Sequence, residues 1–188
     1  MKIGRTILTE RQRIRGWEDT DTDRAFFHRV NSDDAIQRYF PWRWSRAEAD
    51  ENFDQMQART AENGFGWAVA EDLETGVPIG FVGLGQMRHT QVTGPGVEIG
   101  WRYVPEAWGK GLATEAARAL LVHGFEDLGL ERIVAYAVAS NRPSLAVMAR
   151  IGMRERPDLS FDHPMVPDDM PHLKRHAFWE KFSPVARG

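Results

Sequence analysis

The sequence predicts an α+β fold, a mixed and mostly antiparallel sheet with helices packed on it. Two observations carry that reading. Strand candidates at 66–70, 79–86 and 97–104 follow one another through short, turn-rich connections, which favours antiparallel neighbours. A long helix candidate over 109–128 then separates the third strand from another at 133–138, so this last pair is expected to be parallel, with a right-handed crossover. The chain has 188 residues, 42% hydrophobic and 27% charged. It is expected to bury one core as a single domain over 1–188.

Taken in order, residues 6–14 read as a first strand interrupted by charges. Asp21 to Val30 reads as a helix capped by Thr20 or Asp21, with Phe26, Phe27 and Val30 near one face. The next helix opens on a capping box, Ser45-Arg46-Ala47-Glu48, in which serine and glutamate satisfy backbone donors reciprocally. Ala49, Phe53, Met56 and Thr60 continue it at helical spacing until Asn63-Gly64 stops it. A turn at Glu74-Thr75-Gly76 and a loop over 89–96 separate the three strands that follow. In the helix from Gly109, Leu112, Ala116 and Leu120 form one stripe, Ala113, Ala117, Leu121 and Phe125 widen it, and Gly129 ends it. Pro143 to Ile151 is a short helix stopped by Gly152, 157–173 a proline-bearing loop, and 177–182 a closing strand.

Charge and composition exclude several functions. The formal net charge is −3, so no basic footprint for nucleic acid is present. The absence of cysteine removes disulfides, thiolate catalysis and Cys-type zinc sites. No apolar run approaches the ~20 residues that span a bilayer, and the N-terminus lacks a signal-peptide core. A cytoplasmic enzyme with no membrane or nucleic-acid partner is expected; a homodimer is left open.

The chemistry concentrates at Gly109-Lys110-Gly111-Leu112-Ala113-Thr114, where strand gives way to helix. A helix N-terminus offers unpaired amides and partial positive charge, and glycines let a phosphate approach the backbone. This is a site for a pyrophosphate. A P-loop fails here because glycine, not serine or threonine, follows the lysine. A dinucleotide fingerprint fits the glycines, but its acidic partner should end the following strand, and Glu131 precedes it.

At these residues the chain resembles the GNAT acetyltransferase superfamily. Three segments carry the resemblance: Glu98-Ile99-Gly100-Trp101, the run from Pro105 to Ala116, and Ser140-Asn141-Arg142-Pro143-Ser144. Trp108 with Gly111 and Ala113 is similar to the branch that acetylates ribosomal-protein N-termini (RimJ/RimL-like). The resemblance implies a central parallel pair of strands that splay apart, helices on both faces, and acetyl-CoA as co-substrate with no metal. It also implies that the backbone from Gly109 to Thr114 holds the coenzyme's pyrophosphate. Trp101 and Tyr103 would pair with the pantetheine arm through their main chain, and the Asn141 side chain would contact the cofactor. A helix cap is an equal role for Asn141, and Lys110 or Arg142 are candidates for the 3′-phosphate.

Acetyl transfer needs a neutral amine, an acceptor for its proton, support for the oxyanion and a proton for the leaving thiolate. Glu98 is the leading base and shares a strand face with Gly100 and Arg102. Ser144 is the leading acid and cofactor contact, with N-terminal helix capping as its structural alternative. Two related-family features are absent: Met148 stands where a tyrosine acid is often found, and Tyr136 where some members carry a basic glutamate. His172 and His176 have metal-like spacing without a partner cluster and read as surface or loop residues; Asp162-His163 are candidates to line an acceptor site, with plain loop as the alternative. Tyr39, Phe40, Trp42 and Trp44 form an aromatic cluster that suits core packing or an acceptor pocket. The expectation is an N-acetyltransferase acting on a primary amine, either a protein N-terminus or a small molecule. A non-catalytic acyl-CoA-binding module and a nucleotide-dependent oxidoreductase are the alternatives.

Overall fold

The computed structural model describes residues 6–87 and 94–184; most of the loop expected over 89–96 lies outside them. The expected first strand is instead a hairpin of two short strands, β1 (Ile7–Leu8) and β2 (Gln12–Arg15). Thr9 makes the reversal: its hydroxyl accepts the Gln12 amide at 3.0 Å while its own amide donates to the Gln12 carbonyl. Helix α1 (Asp21–Ser32) starts at Thr20, whose side chain accepts the Asp23 amide. Helix α2 (Arg46–Asn63) starts with both halves of the Ser45–Glu48 capping box in place, and ends at Gly64.

Strands β3 (Trp67–Asp72), β4 (Pro78–Gln86) and β5 (Val97–Tyr103) form an antiparallel run. Helix α3 covers Leu112–Val122 and continues as one π-helical turn over His123–Asp127. It begins at the first residue of the apolar stripe and later than the expected Gly109, because Gly109 (φ 73°) and Gly111 (φ 77°) are both left-handed and hold the chain in a turn. Strand β6 (Arg132–Val138), helix α4 (Arg142–Arg150) and a short β7 (Arg154–Glu155) follow. The proline-rich segment is not wholly irregular. It contributes β8 (Phe161–Asp162) and a single turn of helix, α5 (Pro171–Lys174), before the closing strand β9 (Arg175–Phe182).

Among the described residues the strands make one nine-stranded sheet in the order β1-β2-β3-β4-β5-β6-β9-β7, with β8 also paired to β9. Only β5 and β6 are parallel, and their pairing is brief: Val97 with Ile133 and Glu98 with Val134. Beyond that point each strand is held by its outer neighbour alone. β5 stays paired to β4 from Gln86↔Val97 to Gly80↔Tyr103, and β6 to β9 from Arg132↔Phe182 to Val138↔His176. The sheet therefore splits between β5 and β6 towards their C-terminal ends.

Helices cover both faces, and alternation along the strands sorts the residues. Leu84 and Ile133 face α3; a Cβ added at Gly124 in the π turn would meet their methyl groups at 3.1 and 2.6 Å, so a larger residue there would force those side chains to shift. Phe81 faces the other way, packing on Trp17 at 5.8 Å and Phe27 at 5.9 Å, while Trp17 and Phe27 meet Phe53 of α2. Such offset and edge-on aromatic contacts add to apolar burial. By register, Glu98, Gly100 and Arg102 share the Phe81 face, and so do Tyr136, Val138, His176 and Phe178 beyond the split.

Candidate functional site

A cleft of about 1730 Å³ runs through the split and opens on both faces of the sheet. That exceeds the volume of roughly 300–1,000 Å³ usual for one small ligand, leaving room for two reactants. Its lining includes Glu98, Trp101, Tyr103, Gly109, Gly111 to Thr114, Asn141 and Ser144. These residues are widely separated in the chain, and the fold brings them to one space. Lys110 does not line it: its side chain is exposed, and Arg142 is likewise outside. Arg118 and Arg150, which sequence reasoning passed over, do line it; the Arg118 guanidinium donates to the Arg150 carbonyl at 3.2 Å.

The turn before α3 presents its amides to this space. Among the described residues, none of the amides from Gly109 to Thr114 donates to a protein acceptor; the first helical bond is from the Glu115 amide to the Gly111 carbonyl at 3.1 Å. A helix N-terminus left open in this way is positive and suited to an anion. A Cβ at Gly109 would meet nothing within 4 Å, and one at Gly111 would meet only Arg11 Nη2 at 3.8 Å, so the approach is clear. The residues present thus fit the diphosphate of a coenzyme.

The N-terminal hairpin braces that turn, a role invisible in the sequence because it depends on contacts about a hundred residues apart. The Tyr103 hydroxyl donates to Gln12 Oε1 at 2.6 Å, and Gln12 Nε2 donates to the Leu112 carbonyl at 3.0 Å. Gln12 is fully buried, so both halves of its amide are satisfied where water cannot serve. Arg11 reaches the Lys110 carbonyl at 2.9 Å and pairs with Glu115, whose carboxylate also accepts from the Thr9 hydroxyl at 2.6 Å. Burial opposes the Glu115 charge, but the bonds from Thr9 and Arg11 outweigh it and hold the carboxyl below its ordinary range. Trp108 ties the turn to β5 by donating its indole N–H to the Tyr103 carbonyl at 2.7 Å. Burial pushes the Tyr103 phenol far above its ordinary value, so it remains a hydrogen-bond donor.

Asn141 caps α4: its Oδ1 accepts the Ser144 amide at 3.2 Å, so the structural role weighed from the sequence is present. The cap uses the backbone of Ser144, not its hydroxyl, and Ser144 lines the cleft half-buried. Met148 is buried in the core at 2% exposure and carries no ionisable group to the cleft.

On the opposite wall lies a cluster that joins His163, a candidate for an acceptor site, to Tyr136 and His176. Tyr136 sits two residues past the last paired residue of β6, beside the opening of the split. His163 and His176 pack with ring centroids 4.9 Å apart, and Tyr136 meets them at 6.1 and 6.0 Å. All three line the cleft. His176 Nδ1 lies 2.9 Å from the Lys174 carbonyl, which assigns the proton of the neutral ring to Nδ1 and leaves a lone pair on Nε2. Burial lowers its pKa from the usual 6.5 despite that bond and the nearby Asp162. His163 Nδ1 accepts the Met165 amide at 3.2 Å, so its neutral ring carries the proton on Nε2. No signal in the sequence pairs these rings; β8 and β9 do so by placing Phe161 opposite His176. His172 is exposed on α5, away from them, and the described residues contain no cluster of three or more His, Cys, Asp or Glu side chains. No helix among the described residues is long and apolar enough to cross a membrane.

The profile of a family described as "Acetyltransferase (GNAT) domain" matches residues 11–154. An uncharacterised protein of Bacillus subtilis, YkkB, is 32% identical over 151 residues, 78% of this chain and 84% of its own. YnaD of the same organism, named an uncharacterised N-acetyltransferase, is 49% identical over 57 residues, 30% of this chain and only 34% of its own length. Among solved structures, an acetyltransferase (GNAT family) from Bacillus anthracis superposes with a TM-score of 0.76 at 24% identity, covering 95% of this chain and 98% of that one.

Proposed function

Because the chain belongs to the GNAT acetyltransferase family and is an acyltransferase with acetyl-CoA as co-substrate, we propose that it transfers the acetyl group to a primary amine by direct attack within the β5–β6 split. The carrying observation is the open row of amides from Gly109 to Thr114 beside strands that pair at only two positions. The thioester supplies an activated acetyl group. The Gly109–Thr114 amides hold the diphosphate, and the freed main chain of Trp101 with the Tyr103 amide holds the arm, the Tyr103 carbonyl being taken by Trp108. Asn141 shapes the turn at which Ser144 meets the cofactor.

The acceptor amine must be neutral to attack. Glu98, at the root of the split and lining the cleft, takes the proton directly or through a water. The amine nitrogen bonds to the carbonyl carbon, the C–S bond breaks, and the Ser144 hydroxyl passes a proton to the thiolate while regaining one by way of water from Glu98, so that both side chains end as they began. The acceptor is either a protein N-terminus, as the resemblance to the RimJ/RimL-like branch suggests, or a small amine.

The test combines two measurements on the purified chain. Acetyl-CoA is expected to raise the melting temperature, and thiol release is expected with at least one amine of a broad panel. Absence of thermal protection sinks the proposed cofactor site. Protection without turnover of any amine sinks the proposed transfer.

A further inference from the structure

Among the described residues, nothing answers the charge of Arg102 on β5. It lines the cleft on the face of α1, and its Nη1 donates to Asn31 Oδ1 at 2.7 Å. Asn31 is fully buried and neutral, and its Nδ2 donates to the Phe27 carbonyl at 2.8 Å, which fixes Oδ1 towards the guanidinium. The aromatic faces of Phe81 and Phe40 lie 4.4 and 5.2 Å from the guanidinium carbon. Among the described residues no carboxylate pairs with it, and no second protein acceptor takes its other N–H groups. The side chain keeps accessible surface because it opens on the cleft, while the guanidinium lies deep in the protein. Desolvation alone brings its pKa down to about 10. It is cationic at neutral pH and oriented, with donors unused.

The rest of this wall narrows the partner. Glu98 projects from the same face four residues earlier, about 13 Å along an extended strand. Between them lies Gly100, with the ring of Trp67 laid so closely over it that a Cβ would meet that ring at 3.0 Å. Phe40, Trp42 and Trp44 continue the apolar wall. An anion at one end, an aromatic floor and a fork-shaped cation at the other suit a molecule that carries an amine and an oxyanion. A polyamine would set a second cation against an uncompensated one.

We propose that Arg102 binds a carboxylate of the acceptor, so that the acetylated substrate is an amino acid with a free carboxylate. This rests on the acetyltransferase reading above and adds the substrate class to it. Arg102 fixes the acceptor through its carboxylate while the amine points along the cleft towards the split and reaches Glu98 through water.

The test pairs each of the twenty amino acids with its carboxamide in a thiol-release assay, alongside spermidine and a short peptide with a free N-terminus. The acid is expected to exceed its carboxamide in kcat/KM by about tenfold or more, the worth of a charge-assisted hydrogen bond. Arg102→Gln is expected to abolish that preference, chiefly through KM, and Arg102→Lys to retain part of it. Thermal protection by acetyl-CoA is expected to be unchanged in both variants, which separates this inference from the cofactor reading. The comparison of acid with carboxamide in the unaltered protein needs no variant to fold. Equal turnover of acid and carboxamide, a preference for spermidine or the peptide, or no turnover of any amino acid by protein that acetyl-CoA still protects overturns the proposal. Loss of acetyl-CoA protection in Arg102→Gln also overturns it, by assigning Arg102 to the coenzyme.

Discussion

Replacing Gly111 by alanine tests the phosphate-binding turn, and the magnitude follows from its geometry. At φ 77° an L-residue pays roughly 1–2 kcal/mol for the left-handed conformation. A gain of about 0.4–1 kcal/mol from the stiffer unfolded chain offsets part of that. Steric strain adds little, since the new Cβ would meet only Arg11 Nη2 at 3.8 Å, an ordinary contact. A net loss near 1 kcal/mol lowers the melting temperature of a domain this size by about 2–4 °C. Gly129→Ala is the matched control. Its φ is 64°, its Cβ would meet nothing within 4 Å, and it lies outside the cleft. Both variants are expected to lose the same stability in calorimetry. Only Gly111→Ala adds a methyl group among the amides assigned to the diphosphate, so only it is expected to weaken acetyl-CoA binding, by about tenfold or more, equivalent to 1.4 kcal/mol. Titration calorimetry reads the affinity. Equal affinities in the two variants would refute the assignment of those amides.

Four further variants have expected outcomes. Ser144→Ala should leave the melting temperature within about 1–2 °C while slowing turnover, because the cap bond uses the Ser144 amide; Asn141→Ala should cost about 1 kcal/mol in denaturant melts by removing the acceptor. Tyr103→Phe leaves the buried Gln12 Oε1 without its donor, so urea melts should show a loss of about 1–3 kcal/mol, accompanied by a higher KM for acetyl-CoA if the brace positions Leu112. His176 has its pKa depressed by burial in the fold, so below the unfolded value near 6.5 the unfolded chain binds the extra proton. Stability is then unpenalised above that pH and falls as pH drops through it. With Tyr136, His163 and Asp162 facing the ring and the Lys174 carbonyl on Nδ1, a His176→Gln variant should show a flatter stability profile between pH 7 and 5. An unchanged slope counts against a buried neutral ring.

Much of the fold was legible because local chemistry and hydrophobic period agreed. The Ser45 capping box, the Thr20 cap and the order of β3, β4 and β5 all appear as the spacing implied. Where reading failed, a long-range contact had overridden the local pattern. The expected strand over 6–14 is a hairpin because β2 pairs with β3 and its turn bonds to Glu115. The helix from 109 starts at 112 because Gly109 and Gly111, both left-handed, serve a turn better than a first helical residue. The proline-rich tail gains β8 because β9 offers a free edge.

The sequence by itself determined the kinds of group available: a glycine-led helix start, an asparagine cap, one glutamate and one arginine on one face of a strand. Those are nearest-neighbour properties, set by backbone sterics and side-chain period. Tertiary structure alone decided that β5 and β6 part after two paired residues, that Gln12 props the turn before α3 from a hundred residues away, and that among the described residues Arg102 meets no counter-charge. Each depends on which distant groups share a low-dielectric space, and in such a space a missing partner matters as much as one that is present.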